Sequence, residues 1–289
     1  MTKPRPPFRY HGSKWTIAPW IIQFIPGHEL YCEPYGGSAS VLLRKPRSKI
    51  EVYNDLNSEV VNFFQVLREK PEQLVHSLEL TPFAKEEFDE SYNLTDDPIE
   101  NARKFYVRSF MSIAGPTTQW SSGFRRQKVF SHSKTSNGGM TPAAITFSNP
   151  QYLLTLAERL KGVTIENEDA INLIERYDSP ETLFYLDPPY HPKTLSHWKG
   201  KAYSHEMSEG HHLRLAIVLN ALEGSAIISG YNCGPYEKYY SSEEGWTRFD
   251  KQARTNGPRS AIESIWLNTK AQDILNFTDL PLFQGVSNV

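Results

Sequence analysis

The chain has 289 residues, 39% of them apolar and 22% charged, with 17 Gly and 20 Pro, a composition within the range of ordinary globular enzymes that excludes collagen, coiled-coil and disordered classes. No run reaches the roughly 18 apolar residues that a membrane-spanning helix needs, and two cysteines, Cys32 and Cys233, are too few for a disulfide framework, so a reducing, cytosolic setting is expected. A formal net charge of −2 argues against a uniformly basic nucleic-acid coat.

The chain starts MTKPRPPFRY, which lacks the apolar core of a signal peptide. Phe8-Arg9-Tyr10-His11-Gly12-Ser13-Lys14-Trp15 combines aromatics, a flexible Gly-Ser and a lysine, a set able to clamp a zwitterionic ligand. After an amphipathic run to Phe24, a first strand is expected at 29–33. It leads into Glu33-Pro34-Tyr35-Gly36-Gly37-Ser38, with a helix expected at 38–44. Glycines at such a turn let a ligand approach the backbone, and the N–H groups of a helix start can meet a carboxylate. A second strand is expected at 50–54. Asp55 follows, 18 residues after Gly37, about where an acid accepts from ribose hydroxyls; it could instead cap the helix expected at 58–69. Turn and acid together indicate a nucleoside-containing cofactor. They leave a dinucleotide and S-adenosylmethionine both open, although the run departs from G-x-G-x-x-G.

Residues 71–149 break the strand–helix alternation and read as an inserted module. Between 101 and 157 there is no Asp or Glu, whereas Arg103, Lys104, Arg108, Arg125, Arg126, Lys128 and Lys134 are all basic. Interleaved with Gly, Ser, Thr and aromatics, such charges suit phosphate contact. The alternation then resumes with a helix at 150–160, a strand at 163–167, a helix at 170–177 and a strand at 182–186. Asp187-Pro188-Pro189-Tyr190 comes directly after that strand. Ligands of open α/β sheets bind outside the carboxyl ends of the strands. Consecutive prolines fix φ and donate no N–H, so the Asp187 carboxylate and the Pro188 carbonyl are held as two acceptors suited to a planar amino group. Tyr190 offers a ring on which a base could stack. His191, His197, His205, His211 and His212 crowd into 22 residues, but their spacing matches no zinc pattern; a polar loop and no metal are expected. A helix at 206–222 and strands at 225–231, 246–249 and 261–267 complete the chain. The last two strands read as a hairpin, with Arg248, Lys251, Arg254 and Arg259 as a second basic set. The whole predicts an α/β fold, a mostly parallel sheet with helices on both faces and a hairpin closing one edge.

Tyr10-His11-Gly12-Ser13-Lys14, the Glu33 to Ser38 turn, Tyr53-Asn54-Asp55-Leu56-Asn57, an insert, and Leu186-Asp187-Pro188-Pro189-Tyr190, in this order, resemble the DNA adenine N(6)-methyltransferases over most of the chain. The resemblance implies the S-adenosylmethionine-dependent methyltransferase fold, a Rossmann-like seven-stranded sheet. Its catalytic domain would come in two parts, 1–70 and 150–289, around a mainly helical target-recognition domain at 71–149. It implies S-adenosyl-L-methionine as cofactor, double-stranded DNA as partner, and methyl transfer to the N(6) amine of a flipped adenine by Asp187, Pro188, Pro189 and Tyr190. Cofactor contacts would come from Tyr10, Lys14, Glu33, Pro34, Tyr35, Gly36, Gly37, Ser38 and Asp187. Asp55 would take the ribose, and Asp169, with Glu168 as its alternative, the adenine ring. Tyr10 and Tyr35 stand where the family often has other aromatics, and each keeps a ring. In the insert, Arg125, Arg126, Lys128 and Lys134 are expected on phosphates and Gln119 and Trp120 near bases. The same motif logic also admits cytosine N4 or RNA methylation, a catalytically silent DNA-binding homologue, or a nucleotide-cofactor oxidoreductase. A monomer is favoured, with no membrane and no metal involved.

Overall fold

A computed structural model of the chain describes residues 5–113, 123–126, 142–194, 206–254 and 260–275. In chain order, α1 (Ala18–Ile21) continues into a 3-10 turn (Ile22–Phe24), and β1 (Leu30–Glu33) and β2 (Ile50–Asn54) follow. A helical stretch comes next: α2 (Ser58–Glu69), α3 (Pro71–Leu80), α4 (Lys85–Glu90), α5 (Pro98–Met111), α6 (Pro142–Phe147) and α7 (Tyr152–Leu160). Then come β3 (Val163–Glu166), α8 (Ala170–Tyr177), β4 (Thr182–Leu186), a 3-10 turn (Pro192–Thr194) and α9 (Glu209–Asn220). The described residues end with β5 (Ser225–Gly230), α10 (Gly234–Tyr239), β6 (Thr247–Arg254), β7 (Ser260–Leu267) and α11 (Thr269–Ile274).

The described residues form two compact units, one from residues up to 13 and 57–161, the other from 14–56 and 162 onward. The second holds a seven-stranded sheet in the order β3-β2-β1-β4-β5-β7-β6. β1 to β5 run parallel and β7 antiparallel to both neighbours, so the expected closing hairpin is present. From β1 the chain proceeds outward to β2 and β3, while β4 and β5 continue on the other side. The topological switch therefore lies between β1 and β4, and open α/β sheets bind ligands outside the carboxyl ends of the strands at such a point. β4 and β5 are buried along their whole length, as expected of central parallel strands covered on both faces. Alternate residues supply the two layers: Cys32, Val52, Phe184, Leu186, Ala226, Ile228 and Trp266 pack with α8, α9 and α10 in one core.

Local chemistry sets the helix ends. Asn57 caps α2 by accepting the Glu59 N–H at 3.0 Å, Asp97 caps α5 with Pro98 in its first turn, and Asn268 caps α11. In the helical unit the Phe8 ring lies 5.0 Å from Phe63, 5.6 Å from Phe64 and 4.9 Å from Phe105, which binds the N-terminal segment to α2 and α5. This unit is wider than the expected insert at 71–149, because α2 and α7 pack with α3 and α5. No helix among the described residues is long and apolar enough to cross a membrane.

Three expectations need correction. The helix expected at 38–44 is instead a series of turns: Gly37 (φ 48°) and Ala39 (φ 51°) lie in the left-handed region, which interrupts helical hydrogen bonding despite the apolar spacing. The sixth strand runs to Arg254 rather than 249, paired residue by residue with β7 through charged positions that apolar patterning passes over. His211 and His212 are on α9 rather than in a loop, and His191, in the loop after Tyr190, is buried, as is His212. His197 and His205 lie outside the described residues.

Candidate active site

Asp187 is the first residue beyond β4, beside the carboxyl end of β1. Its Oδ1 receives Lys14 Nζ at 2.8 Å and the Ser229 hydroxyl, which donates to it at 2.8 Å. Both contacts fall on one oxygen, and Oδ2 accepts no hydrogen bond among the described residues. The side chain is 21% exposed, and Lys14 behind it is 4% exposed. Pro188 is buried and Pro189 half-buried, and no peptide bond in the run is cis. Asp187 thus stands as a fixed acceptor, backed by a buried ammonium and presenting its second oxygen.

Tyr190 is 8% exposed. Its hydroxyl receives a hydrogen bond from Lys14 Nζ at 3.2 Å and donates to Glu263 Oε1 at 3.3 Å. Its ring packs 4.5 Å from Tyr231, tilted by 33°, and the Lys14 ammonium lies 5.0 Å from its centroid. Tyr190 is therefore a packed ring, not the open platform expected of it, and half-buried Tyr231 is the member of the pair nearer solvent. Burial, followed by the charges of Glu263 and Asp187, pushes the Tyr190 phenol far up, so it remains a donor at neutral pH.

The turn after β1 is held by the ends of β2 and β3. The Asp55 carboxylate accepts the Gly37 N–H at 2.8 Å, and the Tyr53 hydroxyl donates to Gly37 O at 2.7 Å. The carboxylate that meets the glycine turn thus comes from the chain itself. Asn57, not Asp55, caps α2. A Cβ at Gly36 would lie 2.1 Å from the Tyr53 ring, so this position admits only glycine without moving that ring. Buried Asn54 donates to Pro34 O at 2.9 Å and Glu168 O at 3.1 Å and accepts the Glu168 N–H at 3.0 Å, tying three strand ends together. Ser38 shares a 2.8 Å hydrogen bond with Ser40. Asp169 caps α8, accepting the Ile171 N–H at 3.0 Å, and burial with the Asp169 charge raises the Tyr35 phenol. Glu168 is held in an ion pair with Arg176.

Glu33, the last residue of β1, is 2% exposed. Its Oε2 accepts from the Tyr31 hydroxyl at 3.1 Å and from the Leu42 N–H at 3.0 Å. Burial outweighs these bonds, and with the Asp187 charge nearby it raises the Glu33 carboxyl to about 8. Glu33 is thus mostly neutral at pH 7.

Of the remaining expected residues, Tyr10 belongs to the helical unit, its ring 5.9 Å from Phe8. Arg125 gives its guanidinium to the carbonyls of Ser112 (3.0 Å) and Ile113 (2.9 Å), where it clasps its own loop. Arg126 is exposed. Lys128, Lys134, Gln119, Trp120 and Arg259 lie outside the described residues. Arg248 pairs with Asp250 at 3.3 Å, and Lys251 lies 5.5 Å from the Trp20 ring. Among the described residues no group of three or more His, Cys, Asp or Glu side chains is placed to hold a metal ion. Sequence reasoning missed Ser229, Tyr231, Glu263 and the role of Asn54. Asn54 stood within the quoted Tyr53-Asn54-Asp55 run; Ser229 is on β5, Tyr231 directly follows it and Glu263 is on β7, strands whose sequences carry no motif.

A family model of the D12 class N6 adenine-specific DNA methyltransferases matches residues 10–262. The chain belongs to this family. Modification methylase LlaI of Lactococcus lactis subsp. lactis is 26% identical to this D12-class chain over 213 residues, which cover 68% of the chain and 31% of that protein. The chain therefore spans about a third of the length of that curated relative. The crystal structure of an rRNA methylase from Streptococcus thermophilus aligns over 93% of this chain and 98% of its own, at 11% identity and a TM-score of 0.34.

Proposed function

We propose that the chain transfers a methyl group from S-adenosyl-L-methionine to the exocyclic N(6) amine of a flipped adenine in double-stranded DNA. Family membership supports this, and the name of the LlaI relative supports a role in DNA modification. The observation that carries it is Asp187 at the β1–β4 switch, one oxygen fixed by Lys14 and Ser229 and the other available to an amino group. The donor set also suits the cofactor: Asp169, Asp55, Glu33 and Asp187 stand at the carboxyl ends of β3, β2, β1 and β4, four strands in a row. Such a row fits a ribose diol and a cationic nucleoside better than it fits pyrophosphate, which disfavours a nicotinamide reading. When bound, the cofactor supplies an electrophilic methyl group on a sulfonium.

The residues of the chain would act by position and charge. Asp187 Oδ2 and the Pro188 carbonyl accept the two amine hydrogens and turn the nitrogen lone pair out of conjugation with the ring. As the amine gains positive charge, the Asp187 carboxylate stabilises it, and it is the nearest acceptor for the departing proton. Asp55 and Asp169 would hold the ribose and the adenine ring of the cofactor, while Lys14 keeps Asp187 oriented. Half-buried Tyr231, backed by the packed Tyr190 ring, would supply the aromatic surface for an extruded base. Arg126 would contact backbone phosphate.

The test is methylation of duplex DNA with radiolabelled cofactor, followed by digestion to nucleosides and chromatography. N6-methyladenine is the expected product, and Asp187→Ala should cut the rate about 100-fold or more while the melting curve stays cooperative. Methylcytosine, or label in RNA alone, would replace this reading with one of its relatives. An active Asp187→Ala variant, or a wild-type chain that transfers nothing, would remove it.

A further inference from the structure

The closing hairpin carries an acid into the site that no motif marked. Glu263, on β7 and 8% exposed, lies one residue past the span matched by the family model. Its Oε1 accepts the Tyr190 hydroxyl at 3.3 Å. Its Oε2 is buried without a hydrogen-bond partner and stands 3.8 Å from Lys14 Nζ, while Asp187 Oδ1 holds the same ammonium at 2.8 Å. A buried carboxylate oxygen without a donor costs stability, and hydrophobic packing would fill this place more cheaply.

Lys14 is thus shared unequally between two carboxylates. Were Asp187 its sole counter-charge, the pair would be neutral, and the ammonium would draw electron density from the acceptor the target amine needs. With Glu263 present, Lys14, Asp187 and Glu263 together keep one negative charge in excess, complementary to the positive charge that grows on the amine. A shift of about 1 Å would bring Lys14 Nζ to hydrogen-bond distance from Oε2 and loosen its hold on Asp187. Among the described residues the other ionisable groups whose charges couple to this cluster include Tyr185, Tyr190, Tyr231, Tyr236 and Glu33, and burial favours the neutral form of each at pH 7.

We infer that Glu263 is a positioning residue, acting through Lys14 and Tyr190 so that Asp187 keeps its full acceptor strength toward the amine. The inference rests on the methyl-transfer reading.

Single-turnover methylation of duplex DNA by the full chain, with cofactor and DNA affinities measured separately, tests it. A wild-type chain that forms no methyladenine removes the reading and this inference with it; when the wild type is active, the variants decide. Glu263→Gln is expected to slow the single-turnover step by about 10- to 100-fold, with affinities changed less than about threefold. Glu263→Asp, which keeps the charge, should recover part of that loss. In a Lys14→Met background, Glu263→Gln should change the rate by less than about twofold, because the group it acts through is gone. If Glu263→Gln does not fold, Glu263→Asp carries the same cycle and should show the same dependence on Lys14. An unchanged rate, a loss carried by affinity alone, or an equal factor in both backgrounds overturns the inference. So does a Glu263→Asp chain as slow as the Gln variant.

Discussion

Glu33 and Asp187 stand at the ends of neighbouring strands, yet Lys14 lies 2.8 Å from Asp187 and no such ammonium backs Glu33 among the described residues. Glu33 has two donors, both on one oxygen, and no cation within ion-pair distance among the described residues, so desolvation dominates and its carboxyl rises from 4.5 to about 8. The unfolded chain ionises near the ordinary value, so between about pH 4.5 and 8 the native state binds more protons than the unfolded one. The stability this group contributes is therefore complete below about 4.5 and is lost as pH rises toward 8. Glu33→Gln mimics the protonated form and removes the slope. Melting of the two chains should diverge as pH rises from 5 to 8, the wild type losing at most about 1.4 kcal/mol per pH unit relative to the variant, and then run parallel. A constant difference across that range would show that Glu33 is charged throughout. The sequence revealed that an acid stood here but not its protonation state, because burial depends on Tyr31 and Leu42, which have no motif value.

The turn that follows Glu33 shows how far pattern reading reaches among elements. The parallel strands were legible because each is a short apolar run bounded by polar or turn residues. The sequence Ser38-Ala39-Ser40-Val41-Leu42-Leu43-Arg44 has helical spacing, yet it becomes turns. Its path is imposed from outside, by Asp55 and Tyr53 on Gly37 and by Asn54 on Pro34. Such long-range bonds leave no periodic trace, and α10 was missed for a related reason, being six residues with a glycine and a proline at its start. Asn54 is fully buried and makes three backbone hydrogen bonds to the β1 turn and to Glu168. Asn54→Ala leaves the buried Pro34 carbonyl and the part-buried Glu168 carbonyl and N–H without their partner. The expected loss is about 2 to 4 kcal/mol in urea unfolding with an unchanged m-value, accompanied by weaker cofactor binding, because the Asp55 and Asp169 ends of the sheet lose their tie. Full stability would mean that water or a neighbouring side chain replaces all three bonds.

The charge distribution of the whole chain is where sequence and structure diverge most. The stretch free of Asp and Glu looked like a basic face because its seven charges were counted along the chain. In space, acids from other parts of the helical unit reach three of them: Arg103 pairs with Glu87 and Glu100, Lys104 lies 3.7 Å from Glu100, and Arg108, 3% exposed, pairs with Glu59 and donates to Ser91 O. Arg125 is committed to backbone carbonyls. Among the described basic residues of that stretch, Arg126 is the one exposed and outside such contacts. Phosphate contact and structural pairing predict different readouts, because a phosphate contact releases about one counterion from DNA and an ion pair within the protein releases none. Arg126→Ala should weaken duplex binding and lower the slope of log affinity against log salt by about 0.9, with melting unchanged. Arg108→Ala should leave that slope unchanged in the folded protein and lower stability by about 1 to 3 kcal/mol, because the Ser91 carbonyl loses a buried donor and part-exposed Glu59 its counter-charge. A salt slope that fell for Arg108→Ala but not for Arg126→Ala would return the basic stretch to its linear reading and make the ion pairs incidental to DNA binding.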